Sequence, residues 1–234
     1  MAENSNSIES PSQSKSQGMS FEQALLSQKS DWEKRLREEN FKGDIARAAH
    51  IIRRFADGAQ WIYNKRKAIG MLEIGTELPG LDFDSTNIPD FGAAYLADYN
   101  MVVIGTYILD KVAKHELDKL IDITRTDGNV GFRGTPDEFG FLFGVEEFDH
   151  GLGEKANHPL HPNHVSRAEY NAQDHEYQAL RWRILAAEEN NFNPETIKFL
   201  KEMYDEASDY RTKTNHTKKQ VDSNNALSPE GISP

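Results

Sequence analysis

The chain has 234 residues, with 27 Lys and Arg against 38 Asp and Glu, so its formal net charge is −11. A nucleic-acid binder needs a cationic surface to displace counterions, and no basic patch is visible along the sequence, so we expect no nucleic-acid partner. Cysteine is absent, which excludes disulfides, Cys-ligated zinc and iron–sulfur clusters and fits the cytoplasm or another reducing compartment inside the cell.

Membrane insertion and secretion have no support in the sequence. The longest apolar stretch, residues 91–109, is interrupted by Asp98 and Asn100, and the mean hydropathy of the chain is −0.72. The first ten residues carry neither a basic segment nor an apolar one. We therefore expect no membrane span and no secretory signal.

The two ends of the chain differ in composition from its middle. Residues 1–18 are rich in serine and residues 213–234 are polar, and neither end carries enough large apolar side chains to offset the entropy of ordering. We expect both ends to be disordered tails, and the residues between them, 19–212, to form a single domain.

The first half of that domain shows helical signals. Ser20 and Gln23 form a capping box, which predicts a first helix over about 20–39. Asp44 can cap a second helix that runs to about residue 68. This second helix has a stripe of small residues, which would allow close approach of a neighbour.

The middle of the domain is harder to assign. Residues 70–90 contain several Gly and Pro residues and are typical of a long connection that could hold one short strand. A third helix is predicted from about 89 to 123, because apolar residues keep a helical period as far as Ile121. The segment 101–108 is rich in β-branched residues, so a strand there is the main alternative.

Three further helices are predicted after the middle. Thr135 followed by Pro136 and Glu138 predicts a helix start and a fourth helix over about 136–150. Ser166 and Glu169 form another capping box, which opens a fifth helix to about residue 190, and Asn193-Pro194 opens a sixth to about 210. The expected fold is all-α, an irregular bundle of about six helices with a long Gly/Pro-containing connection.

Histidine is unevenly distributed along the chain. Five of the eight histidines lie between residues 150 and 175, among several carboxylates. Imidazole and carboxylate together are the ligand set for Fe, Mn or Zn in a protein without cysteine. The five are His150, His158, His161, His164 and His175.

Helical periodicity selects the residues that could share a metal. On the fourth helix three polar residues lie within or beside the apolar face, and on the fifth helix two more do, at about 100° per residue. One carboxylate of the third helix lies near its apolar face and could complete the set. The metal candidates are Glu146, Asp149, His150, His175, Glu176 and Asp110, with His158, His161 and His164 as loop candidates.

The same residues have a structural interpretation. A buried carboxylate needs a partner, and that partner can be a cation or a hydrogen-bond donor from another helix as well as a metal. Glu176 and Arg183 are seven residues apart on one face of the fifth helix and can be members of ion pairs with other helices. The pattern predicts burial of these charges and leaves the nature of their partners open.

Two functions follow from these observations. The first is a metal-dependent enzyme, an oxidase or oxygenase or a hydrolase, with its site between the fourth and fifth helices. The second is a non-enzymatic interaction or assembly subunit that binds a protein partner or a second copy of itself, because no complete catalytic motif and no nucleotide-binding motif is present.

Overall fold

The computed structural model of the chain describes residues 31–72, 78–84, 92–96, 99–125, 127–156 and 172–208, with the backbone alone at 84, 153–156 and 172–176. These residues form six helices and five strands. In chain order they are α1 (Trp32–Glu38), α2 (Ile45–Ala68), β1 (Gly80–Asp84), β2 (Ala93–Leu96), β3 (Met101–Gly105), α3 (Thr106–Ala113), β4 (Ile121–Thr124), β5 (Val130–Gly134), α4 (Pro136–Ala156), α5 (Ala172–Glu189) and α6 (194–208).

The strands form two small sheets. In the first sheet β3 lies in the middle, with β1 parallel to it on one side and β2 antiparallel to it on the other. Strands β4 and β5 form a separate antiparallel hairpin. The prediction of an all-α fold is therefore wrong, and the fold is mixed.

The error lies in the predicted third helix over 89–123. Its β-branched centre forms β3, a short helix α3 follows directly after Gly105, and Ile121 begins β4. The apolar residues that keep a helical period here belong to three successive elements. Pairing of β3 with two other strands decides the backbone conformation, because contacts distant in sequence override a local period.

The predicted starts of α2 and α4 are confirmed by their capping contacts. The Asp44 side chain accepts a hydrogen bond from the Arg47 backbone N–H at 3.0 Å and caps α2. At α4 the Thr135 and Glu138 side chains each accept a hydrogen bond from the other's backbone N–H, at 3.2 and 2.9 Å. This reciprocal pair is the capping box predicted from the sequence.

Glu138 also connects α4 to α6. The Glu138 side chain is buried, and its carboxylate accepts hydrogen bonds from the Thr196 hydroxyl at 2.8 Å and from the Asn193 backbone N–H. The Asn193 side chain in turn accepts from the Glu195 backbone N–H at 3.0 Å. The predicted helix start at Asn193-Pro194 is thus confirmed, and one buried carboxylate fixes the beginnings of both helices.

Helices α2 and α4 form the centre of the fold and cross at glycines. A side-chain carbon on Gly58 would lie 2.0 Å from the carbonyl oxygen of Phe141, and one on Gly144 would lie 2.0 Å from the carbonyl oxygen of Phe55. Carbon and oxygen atoms that are not bonded to each other cannot approach so closely. Glycine at both positions therefore allows the two helix backbones to touch, which is the close approach predicted for the second helix.

The three-stranded sheet packs one face on the helices and turns the other toward a cleft. Side chains alternate between the faces of a strand. Val102 and Ile104 of β3 belong to the hydrophobic core. The alternate residues Met101 and Val103 line the cleft on the opposite face.

Several predicted features lie outside the described residues. They are the first part of the predicted first helix, the capping box at Ser166 and Glu169, and the two tails over 1–18 and 213–234.

Candidate functional site

Helices α4 and α5, between which the metal site was predicted, contact each other through a buried ion pair. Nη1 of Arg183 on α5 lies 2.9 Å from Oε2 of Glu146 on α4, and the two side chains are 3% and 13% exposed. The Arg183 guanidinium lies 5.0 Å from the centre of the Phe143 ring, a distance at which a cation and a ring attract each other. Glu146 therefore has an arginine as its partner where a metal was predicted.

Asp149 has an arginine partner as well, from a different helix. Nε of Arg66, in the last turn of α2, donates a hydrogen bond to Oδ1 of Asp149 at 2.8 Å, and Nη2 donates to the same oxygen. Asp149 is 1% exposed. Burial raises the pKa of Asp149, and the opposing effect of Arg66 is smaller.

The histidine candidates do not join these carboxylates in one described cluster. His150 lies on α4 one turn after Glu146, and its Nδ1 atom is buried. His175 and Glu176 lie near the start of α5, where the structure describes the backbone alone. The three loop candidates lie outside the described residues; they are His158, His161 and His164.

The expectation of a metal-binding protein is not met in the described part of the chain. Within those residues, no group of three or more His, Cys, Asp or Glu side chains is placed so that it could hold a metal ion. The physical reason is charge compensation: a buried carboxylate requires a nearby positive charge, and Arg66 and Arg183 supply it to Asp149 and Glu146. The prediction of metal binding, which came from the histidine cluster, is therefore corrected for the described residues.

Asp110, the sixth candidate, lies elsewhere. It is on α3, its Oδ2 atom is 2.6 Å from Nζ of Lys114, and it lines a cleft next to the three-stranded sheet. The prediction placed Asp110 with Glu146 and Asp149 on the assumption of one long third helix. The short α3 turns Asp110 toward the cleft instead.

The cleft has a volume of about 610 Å³, within the range of small-molecule binding pockets. Its floor is apolar and consists of Leu96 from β2 with Met101 and Val103 from β3. Leu96 and Met101 are paired in the sheet register, so their side chains lie side by side. Val103 is 5% exposed and Leu96 is 38% exposed, so the floor opens toward solvent at β2.

One wall of the cleft is a fixed arginine. Arg35 forms an ion pair with Asp82, and its guanidinium carbon lies 4.8 Å from the Trp32 ring centre and 5.2 Å from that of Phe83. Asp82 also accepts a hydrogen bond from the Phe83 backbone N–H at 2.8 Å. The Arg35 guanidinium therefore has an ion-pair partner for its charge and aromatic rings against its face, and these contacts hold it in place.

The other walls come from the segment after α1 and from the first turn of α3. Glu39 and Lys42 line the cleft and are exposed. A side-chain carbon on Gly43 would lie 2.5 Å from Oδ1 of Asp110, so glycine there lets the segment after α1 lie against α3. Tyr107 stands at the rim with 66% of its surface exposed.

Reasoning from the sequence missed this cleft. The signal was present in β1, where Asp82 stands between two apolar residues, Leu81 and Phe83, as expected for a strand with one polar face. The segment 70–90 was interpreted as a long connection that could hold one short strand, and β1 is a short strand within it. The cleft depends on the parallel pairing of β1 with β3, which no local pattern encodes.

Comparison of the chain with protein-family models, with curated proteins and with solved structures found no match. None of the helices that the structure describes is both long enough and apolar enough to cross a membrane.

Proposed function

We propose that this protein acts by binding a partner through the cleft beside the three-stranded sheet, as an interaction or assembly subunit. The observation that carries the proposal is the convergence of exposed apolar side chains on one concave surface. Tyr107 and Leu96 are 66% and 38% exposed, and both line the cleft above Met101 and Val103. Exposed apolar surface that is concentrated in one place is typical of a binding site.

The types of side chain in the cleft favour a protein partner. Aromatic residues, Met and Arg are enriched in the centres of protein interfaces, and the cleft contains all three kinds in Phe41, Phe83, Tyr107, Met101 and Arg35. Arg35 is already held by its ring contacts and by Asp82. A wall that is fixed before binding loses little entropy when a partner docks.

The metal-dependent oxidase, oxygenase or hydrolase has less support from the described side chains. Its two central carboxylates, Glu146 and Asp149, already have arginine partners. The proposed interaction subunit needs no catalytic group. It is compatible with the reducing intracellular compartment that the cysteine-free composition led us to expect.

Site-specific photo-crosslinking in the cells that produce the protein tests the proposal. Tyr107 is replaced by p-benzoylphenylalanine in the full chain, and Tyr99 is replaced in the same way as the matched control. Tyr99 is 74% exposed and is not among the residues that line the cleft. We expect a crosslinked adduct of discrete mass from position 107, with little or none from position 99.

A second pair of variants tests whether the crosslinked partner binds in the cleft. Leu96→Asp places a charge on the cleft floor and should abolish the adduct formed from position 107. Leu185→Asp is the control, because Leu185 lies on α5 and at 37% is as exposed as Leu96. Equal adducts from positions 107 and 99, or an adduct that persists in Leu96→Asp, would contradict binding through the cleft.

A further inference from the structure

We infer that the partner of the cleft is a positively charged protein segment that places one large apolar side chain on the cleft floor. This inference rests on the proposed function and adds the chemistry of the partner to it. It follows from the shape and apolar character of the floor, from the charges on the cleft walls and from the net charge of the chain.

The floor fits an apolar anchor. Leu96, Met101 and Val103 form a continuous apolar surface across two strands, and the rings of Phe41 and Tyr107 line the same cleft. The cleft volume of about 610 Å³ exceeds that of any single side chain, so an anchor would enter together with flanking residues of its own chain. A buried anchor surrounded by more polar contacts is the usual arrangement in protein interfaces.

The charges on the walls favour a cation next to that anchor. Asp110 is paired with Lys114, whose side chain is 65% exposed. Ion pairs with an exposed member contribute little to stability. Asp110 can therefore exchange Lys114 for a cation of the partner. Glu39 is exposed, and the described part of the chain gives it no ion pair. Lys42 is the opposing charge. Arg35 is occupied by Asp82. Among the other charged residues that line the cleft, two carboxylates, Glu39 and Asp110, stand against one cation, Lys42, and Lys114 lies outside the lining.

The charge of the whole chain acts in the same direction. A net charge of −11 attracts a basic partner over long distances and increases the rate at which the two meet. The same charge makes two copies of this chain repel each other. It therefore favours a basic partner over a second copy of the chain as the occupant of the cleft.

Three pools of short synthetic peptides, labelled with a fluorophore, test the inference by fluorescence anisotropy with the full-length protein. In the first pool a central Phe, Leu, Met or Trp is flanked by Lys and Arg among Ser and Gly. In the second pool the basic residues are replaced by Asp and Glu. In the third pool the flanks are basic and the central residue is Ala. We expect saturable binding of the first pool, with affinity at least about tenfold above that of the other two.

Variants of the protein assign the binding to the cleft. Glu39→Lys should weaken binding of the first pool about tenfold, whereas Glu38→Lys, which changes the net charge equally one residue away, should leave it nearly unchanged. Leu96→Ser should also weaken it about tenfold, and Leu185→Ser should not. The Glu38 side chain is 63% exposed and is not among the residues that line the cleft.

The outcomes separate this inference from the proposed function. Tighter binding of the acidic pool, with loss of that binding in Leu96→Ser, would overturn the basic partner and leave binding through the cleft in place. Equal binding of the basic pools with and without the anchor would overturn the apolar anchor. No binding of any pool would overturn the inference, and the photo-crosslinking result from position 107 would then decide whether binding through the cleft fails as well.

Discussion

Two groups of charged side chains in the described part of the chain have different surroundings. At the contacts of α4 with α2 and α5, Asp149 is buried and the Glu146 side chain is 13% exposed, and each is held by an arginine from another helix. At the cleft, Asp110 and Glu39 face solvent on an open concave surface. Carboxylates at the first place stabilise the packing of helices, whereas those at the second are accessible to a partner.

The largest expected effect concerns the backbone contact between α2 and α4 at Gly58. We expect Gly58→Ala to lower the free energy of unfolding by at least about 4 kcal/mol, because the new methyl group would overlap the carbonyl oxygen of Phe141. Alanine is the better helix former by about 1 kcal/mol, so helix propensity alone predicts the opposite sign. Urea denaturation monitored by circular dichroism measures the change.

Gly80→Ala is the matched control in the sheet beside the cleft. The nearest atoms to a side-chain carbon on Gly80 belong to Met101, at 3.8 Å, which is an ordinary contact distance. We expect a change of about 0.5 kcal/mol or less. Equal effects of the two substitutions would contradict the tight crossing of α2 and α4.

The sequence identified the buried charges but not their partners. Helical periodicity placed Glu146 and Asp149 on or beside the inward face of α4. Asp149 is buried, and the Glu146 side chain is 13% exposed. The partner of Asp149 is Arg66, 83 residues earlier in the chain, and no local pattern connects the two. For Arg183, an ion pair with another helix was one of the interpretations left open by the sequence, and in the structure Arg183 pairs with Glu146.

The cleft, like the buried ion pairs, depends on contacts between residues that are distant in sequence. Proline and capping residues predicted the starts of α2, α4 and α6, because a helix start depends on neighbouring residues. Strand β3 and the cleft could not be predicted in the same way. They depend on β1 and β2, which pair with β3 across intervening chain, and the local helical period after residue 105 was extended over β3 by mistake.

The second expected effect measures how much the Glu146–Arg183 ion pair contributes to the free energy of unfolding. Glu146→Leu leaves Arg183 buried without its counter-charge, and we expect a loss of about 3 kcal/mol in the free energy of unfolding. The double substitution Glu146→Leu with Arg183→Met replaces the pair by apolar groups of similar size. It should recover most of the loss, since an apolar pair is often as stable as a buried ion pair.

Asp110→Asn provides the comparison at the cleft. Its partner Lys114 is largely exposed, so we expect a change between 0 and about 1 kcal/mol. Urea denaturation of the parent and of these three variants gives the three differences. The single variant Arg183→Met completes the double-mutant cycle, which yields the coupling energy between Glu146 and Arg183. A single Glu146→Leu protein as stable as the parent would show that the pair contributes nothing to the packing of α4 on α5.

The smallest expected effects are in the pH dependence of stability, and they differ in sign between buried and exposed carboxylates. Burial raises the pKa of Asp149, so the folded protein holds this proton more tightly than the unfolded chain does. The stability that this proton contributes is full below the ordinary pKa of aspartate and is lost as the pH rises through the raised value. The difference in unfolding free energy between the parent and Asp149→Asn should therefore fall as the pH increases over that window.

Asp122 should show the opposite dependence. The hydrogen bond from Arg133, on the neighbouring strand β5, lowers the pKa of Asp122. Its contribution is present above the ordinary pKa and is lost as the pH falls through the lowered value, so the difference between the parent and Asp122→Asn should rise with pH. The effect should be smaller than for Asp149, because solvent screens this exposed pair. Denaturation curves recorded from acid to neutral pH measure both slopes, and slopes of the same sign would mean that burial does not dominate at Asp149.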